Sequence, residues 1–344
     1  MRIATYNVEW FSYLFDIEDN LIADDEVSGR QGVTRAQQLE ALGIVFTALD
    51  ADAIMIIEAP DTGSKRNSIL ALERFAQWAG LRARKALIGF ANETQQEIAL
   101  LFDPDTLCAR HDPMGDPTGK KGLREAPRFD GVYRIDLDQD GHDEKIRFSK
   151  PPLEVALQVR ESGFQFRMIG VHVKSKAPHG AQDHKAMLRT AIANRRTQLA
   201  QCLWLRERVA GHLAAGEPMI VLGDFNDGPG LDEFEKLFGR SGPEIVMGSA
   251  ARGEIPLFDP HADRAIHQRV TPPPTTARFF LENEHRYLEV LLDYIMLSPD
   301  LVARGAEWRI WHPLDDPLLY RIPELRQALL RGSDHFPVTV DLDI

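Results

Sequence analysis

The sequence has no run of 18 apolar residues, so it offers no membrane-spanning helix. Cysteine is nearly absent. Cys108 and Cys202 form neither a ligand pattern nor a disulfide framework, which suits a reducing cytoplasm. No secretory leader is expected, because Met1 runs straight into a strand-like segment. Repeats and low-complexity tracts are missing, and so is any excess of basic charge. With 52 acidic against 40 basic residues and a net charge of −12, the composition lacks the electrostatic footprint of tight, non-specific duplex binding. Zinc spacings such as HExxH are also missing. His111, His142, His179, His184, His212, His261, His267, His285 and His312 are therefore assigned no role.

What is present is a hydrophobic fraction of 44%, enough for a substantial core in 344 residues, and six short polar punctuations of apolar runs. Asn7 stands in ATYNVEW, Glu58 in IMIIEAP, His172 in GVHVKSK, Asp224 and Asn226 in VLGDFND, Asp293 in LLDYIML, and Asp334-His335 in GSDHFPV. The first five follow or sit within runs of β-formers: Ile3 to Tyr6, Ile54 to Ile57, Met168 to Val171, Met219 to Leu222 and Val290 to Leu292. The last precedes Phe336 to Leu342. Strand ends display side chains at the rim of a sheet, so six of them can converge on one pocket. A pocket drawing on Asn7 and His335 needs both ends of the chain to meet, which favours one domain over residues 1–344.

Together these segments resemble the endonuclease/exonuclease/phosphatase superfamily, the deoxyribonuclease I-like hydrolases. GDFN and SDH are the most specific signatures, and TYNVEW and LDYIMLS fit them. One departure is that Ala59-Pro60 follow Glu58, where the family has Gln before its Glu and Val after. The resemblance implies an α/β fold, a four-layer α/β/β/α sandwich of two stacked mixed β-sheets flanked by helices. It also implies a metal-dependent phosphoric ester hydrolase.

Such chemistry needs neutralised phosphoryl oxygens, an activated water and a protected leaving oxygen. Oxygen ligands suit Mg²⁺ or Mn²⁺. Glu58, ending an apolar run, is the first candidate ligand, although a solvated strand end would look the same. Asn7 would orient a water, a metal or a phosphate oxygen. Glu9 either supports the same cation or is the exposed partner of an alternating strand end. Asp224 and Asn226, two apart, point the same way on an extended end and fit water activation and phosphate stabilisation; an Asx-turn fits them too. His335 titrates nearest neutrality and is the candidate acid/base or transition-state stabiliser. By resemblance Asp293 orients it and Asp334 completes the metal shell.

His172 lies inside an apolar strand, where a core role is the ordinary reading. The resemblance to a two-histidine branch makes it catalytic, makes Lys150 a phosphate contact, and expects a carboxylate partner before the strand Ile98 to Phe102, where Gln96 and Glu97 stand. Lys174 and Lys176 flank the His172 strand and are either solvated lysines or aids to phosphate binding. Asp136, Asp138 and Asp140-Gly141 imitate the start of a calcium loop, but its twelfth position is Arg147. A hairpin with a β-turn at Asp140-Gly141 is the favoured reading.

Helical periodicity covers Thr34 to Leu49, Lys65 to Ala79, about Gln182 to Leu213, Leu231 to Phe238 and Pro323 to Leu330. Residues 111–131 and 251–277 read as long surface loops of the kind that select substrates. The substrate expected is a phosphodiester, with nucleic acid or a nucleotide-like diester foremost and no membrane insertion. The alternatives are a phosphomonoesterase or lipid phosphodiesterase on the same fold and, from another class, a catalytically inactive binding protein.

Overall fold

The computed structural model describes residues 1–92, 94, 96–177, 183–229, 239–267, 270–281 and 285–344. Its strands are β1 (Arg2–Asn7), β2 (Ala53–Ala59), β3 (Lys85–Ile88), β4 (Glu97–Phe102), β5 (Leu107–His111), β6 (Tyr133–Ile135), β7 (Glu144–Ile146), β8 (Leu153–Val159), β9 (Gln165–His172), β10 (Met219–Asp224), β11 (Ala277–Leu281), β12 (Arg286–Val290), β13 (Asp293–Leu297), β14 (Glu307–Ile310) and β15 (Val338–Asp341). One sheet has the order β14-β15-β1-β2-β4-β3 and the other β13-β10-β9-β8-β5. Both are mixed: β1 runs parallel to β2 and β9 to β10, and their other neighbours are antiparallel.

Period-2 alternation explains the stacking. Ile3, Met55 and Ile57 of the first sheet meet Met168, Ile220, Leu222 and Ile295 of the second in one buried layer. The sheets come so close there that a Cβ on Gly170 would lie 2.4 Å from Met55 Sδ. The outer face of the first sheet, with Ala4, Tyr6, Ile54 and Ile56, is covered by α1 (Arg35–Leu49), α2 (Ser68–Ala79) and the C-terminal helix Pro323–Gly332. The outer face of the second, with Ile169, Val171 and Val221, is covered by α3 (His184–Ala214) and α4 (Gly242–Met247). This is the expected four-layer sandwich.

Local chemistry sets the helix ends. Thr34 and Gln37 form a capping box on α1. Asn67 caps α2, so that helix begins at Ser68 rather than Lys65, and it stops at Gly80 with φ +65°. Asp183 caps α3, whose expected start at Gln182 lies outside the described residues, as does the helix expected over 231–238. The two long loops are more built than expected. Residues 111–131 carry Phe129 into the core, and Pro127 O accepts from Trp204 Nε1 at 2.8 Å. Residues 251–277 contain the helix Pro260–His267. The expected hairpin exists between β6 and β7, but its connection spans residues 136–143 instead of a turn at Asp140-Gly141. Among the described residues no helix is long and apolar enough to cross a membrane.

Candidate active site

The rim between the two sheets gathers every residue expected at a catalytic site. In β10 the inward series Ile220, Leu222 ends on Asp224, and in β9 Met168, Gly170 ends on His172. Asp224 is registered with His172 on one side and with Asp293 on the other, so three polar side chains share a row across β9, β10 and β13. Gly223 makes this possible: its φ is +129°, and a Cβ there would lie 2.2 Å from Val171 O. From the opposite sheet the inward series Ile3, Thr5, Asn7 brings Asn7 Nδ2 to Asp224 Oδ2 at 3.0 Å, joining residues 217 positions apart.

Glu58 reaches this rim against its own alternation. Ile54 and Ile56 face outward, and period 2 would send Glu58 after them. A bulge between Ile57 and Ala59, with Glu58 at φ +60°, turns it inward. Gln96 Nε2 then donates to its Oε2, and Lys150 Nζ and His172 Nε2 stand 4.0 and 3.9 Å from Oε1. The Asp293 strand also differs from expectation. Within the run Val290 to Leu292, β12 ends at Val290 and Leu291-Leu292 form a break, so Asp293 begins β13 instead of ending a strand. Thr276 Oγ1 holds the break by accepting from the backbone N–H of Leu292 and Asp293, each at 3.0 Å.

His335 Nδ1 lies 2.7 Å from Asp293 Oδ2, and both side chains are buried. Burial opposes the imidazolium, but Asp293, and then Asp224, outweigh it and hold His335 well above the usual histidine range. His172 goes the other way: burial, and then the Lys150 ammonium, push it well below that range. Burial pushes Asp224 up to about 7. Glu9 is also pushed up to about 7, by burial and then by Asp334. Burial raises Glu58 while Lys150 opposes the rise.

Among the described residues, His172 has no carboxylate partner from the segment before β4. Glu97 accepts from Asn92 Nδ2 at 2.6 Å, and Gln96 bridges Glu58 to Lys150. Lys150 Nζ itself lies 3.0 Å from His172 Nδ1, so that nitrogen accepts and the proton sits on Nε2, 3.6 Å from Asp224 Oδ2. The reason is burial: Gln96 and Lys150 satisfy each other inside the rim, while Glu97 points to the other face of β4. Asn226 has φ +50°, and its backbone N–H donates to Asp224 Oδ1 at 2.7 Å, an Asx-turn. Its amide nitrogen also donates to Asp224 Oδ2 at 3.1 Å, so both expected roles of the pair are compatible. Lys176 is tied to buried Asp227 at 2.7 Å and props the turn from behind.

Four contributors were given no role by the sequence analysis. Arg30, from a loop, pairs with Glu9 and stands 4.0 Å from Asp334. Ser333 Oγ donates to Asn7 O at 2.8 Å and accepts from the N–H groups of Glu9 and His335. Gln96 and Thr276 act as described above. Ser333, the first letter of the SDH signature, and Gln96, beside the expected partner of His172, were within reach of sequence reasoning; Arg30 and Thr276 were not.

The donor set fits a hard divalent cation. Glu9, Glu58 and Asp334 offer carboxylate oxygens, and Asn7 Oδ1 is buried with no hydrogen-bond partner among the described residues. These carboxylates do not form a tight triplet. The described residues that bring three ligand oxygens within 4.8 Å of one another are Asp136, Asp138 and Asp140. There Asp136 accepts from the N–H groups of Asp140 and Gly141, and Asp138 pairs with Arg196, so the cluster is accounted for as a turn.

A model of the endonuclease/exonuclease/phosphatase family matches residues 4–335, and the chain belongs to that family. It is a family of phosphoester hydrolases. Among solved structures, a family member from Bacteroides thetaiotaomicron is 14% identical at a TM-score of 0.50, over 99% of this chain and 96% of that one. Truncated TDP2 from Caenorhabditis elegans is 12% identical at a TM-score of 0.51, over 98% and 96%. At these identities the likeness concerns the fold. None of the curated proteins matches in sequence.

Proposed function

We propose that this protein is a Mg²⁺- or Mn²⁺-dependent hydrolase of phosphodiesters, a nuclease or nucleotide-like phosphodiesterase formed as one domain over residues 1–344. The reading rests chiefly on the 2.7 Å His335–Asp293 pair set across from Asn7–Asp224 at a rim that also holds Glu58. Glu58, with Asn7, Glu9 and Asp334, would hold the cation, which supplies charge neutralisation at the phosphoryl oxygens. Asp293 fixes the His335 tautomer, so that its Nε2–H meets the oxygen that gains charge. Asp224, with a raised pKa and two amide donors, accepts a proton from the attacking water. His172, neutral with its proton on Nε2, donates from beside Asp224 in the same row. Lys150 orients it and lends positive charge near the phosphate, a site shared with the Asn226 amide. Free Cys108 and Cys202 support the expectation of a reducing, cytoplasmic setting.

Arg30 favours a second reading, a phosphomonoesterase, because its guanidinium beside Asp334 would serve a dianion. Its pairing with Glu9 uses up that charge, so the diester reading is preferred. Comparing kcat/KM on bis-(p-nitrophenyl) phosphate and the matched monoester, each with Mg²⁺, Mn²⁺ or EDTA, decides between them. The diester should be preferred and EDTA should abolish turnover. His172→Ala should cost about tenfold or more, as a lost acid–base group does. A monoester preference with His172→Ala indistinguishable from wild type moves the protein to the phosphatase reading.

A further inference from the structure

Two large aromatics stand at the surface beside this rim. Trp10 is 38% exposed and Tyr13 45%. Trp10 caps a single 3₁₀ turn, Phe11–Leu14, which contains Tyr13 and buries Phe11, Ser12 and Leu14. Residues three apart eclipse in that geometry, so the two rings meet on the outer side, with centroids 5.1 Å apart and planes inclined by 36°. Trp10 is held there. Its φ of +60° is costly for a bulky residue and persists only where the surroundings enforce it. The indole N–H donates to Glu9 Oε1 at 2.7 Å, and the ring lies so close to Gly29 that a Cβ at Gly29 would stand 2.7 Å from Trp10 Cγ. A cavity of about 270 Å³ is lined by Trp10 and Tyr13 together with Glu58 and Gln96.

We propose that Trp10 and Tyr13 are a stacking platform for the nucleobase of the residue next to the scissile phosphate. The inference rests on the reading of Glu58 as a cation ligand, which places the reacting phosphate beside this cavity. Stacking needs no charge complementarity, so it supplies substrate affinity to a chain of net charge −12 that lacks a basic footprint. It also tolerates any base, because every base has a π face. Holding the tryptophan in place before binding lowers the ordering cost of that contact.

The test compares a dinucleoside monophosphate with two counterparts in which hydrogen replaces the 5′ or the 3′ base, in Mg²⁺ or Mn²⁺. Wild type should lose about tenfold or more in kcat/KM on one abasic counterpart, mainly through KM, the order expected when a base loses its stacking partner. In Tyr13→Ala and in Trp10→Ala that ratio should fall to about one, and Tyr13→Phe and Trp10→Phe should keep it. A ratio is insensitive to general damage from cutting the Trp10–Glu9 bond. Equal wild-type turnover of the base-bearing and abasic diesters, or a ratio that survives both alanine variants, overturns the platform alone. Dependence on Tyr13 confined to bis-(p-nitrophenyl) phosphate overturns the assignment to a nucleobase. Absence of turnover on every diester overturns the platform together with the hydrolase reading.

Discussion

At the scale of single residues, two groups carry most of the chemistry. Glu58 is held by Gln96 and faces Lys150, so replacing its carboxylate with an amide keeps the shape and removes a charge. Glu58→Gln should therefore abolish most activity and weaken Mg²⁺ affinity, read by calorimetric titration, while the melting temperature in EDTA does not fall. Unaltered metal affinity would contradict the assignment. Asp293 reaches the reaction only through His335 Nδ1. His335→Ala and Asp293→Ala should thus be non-additive, the double variant being no slower than the worse single variant. Losses that multiply would mean that Asp293 acts independently. Asp293 was named from the resemblance and Glu58 from its place at the end of an apolar run. The Lys150–His172 contact was legible in neither way, because a lysine and a histidine 22 residues apart carry no local signal of pairing.

At the scale of elements, the turn after β10 depends on what lies behind it. Asp227 is fully buried and accepts from Arg195 of α3, from Lys176 and from the backbone N–H of Gly242. Gln198 of the same helix donates to the carbonyl of Asn226 at 3.0 Å. Removing one partner of a buried pair strands the other, at about 3–5 kcal/mol. Asp227→Ala should lower stability by about that amount in urea unfolding and cost activity through the displaced Asp224 and Asn226. A loss under about 1 kcal/mol would show that the turn holds itself. Helix α1 was legible to within a residue because its cap and its apolar stripe are both local. The bulge that turns Glu58 inward was not legible, since it shows only once β2 has paired with β4.

For the whole molecule, packing acids into one rim has a consequence for stability. The folded-state pKa values of Asp224 and Glu9 are raised from 3.8 and 4.5 to about 7. The folded protein therefore binds more protons than the unfolded chain between those values, and their contribution to stability falls as pH rises from about 4 to 7. His335, raised as well, adds stability that is lost only as pH climbs through its own elevated value. Ion-paired acids such as Asp52 are lowered, so their stability is lost only as pH drops through their folded values, below this window. Buried His172, held low, acts in the opposite direction over this range, so the test is a difference: in EDTA the melting temperature of wild type should fall more, or rise less, from pH 5 to 7 than that of Asp224→Asn. Mg²⁺ or Mn²⁺ should raise it most at pH 7, because a cation binds the ionised carboxylates of the folded state. The same pH dependence in both proteins would contradict the burial argument.

By itself the sequence located most of the strands that carry the site and the polar residues at their ends, Asp293 excepted. Asn7 and Asp224 follow directly from runs of apolar β-formers that stop at a polar residue, and that pattern is local; His172 was singled out by the resemblance. The family, and with it the four-layer arrangement, was readable because six such stops occur in a specific order. Only the tertiary structure decided which way Glu58 points, that His172 faces Lys150, and that Arg30 comes to rest between Glu9 and Asp334. Those outcomes depend on a bulge, a strand break and a loop, each fixed by neighbours distant in the chain. Alternation within one strand carries no information about which residues of another sheet it will meet.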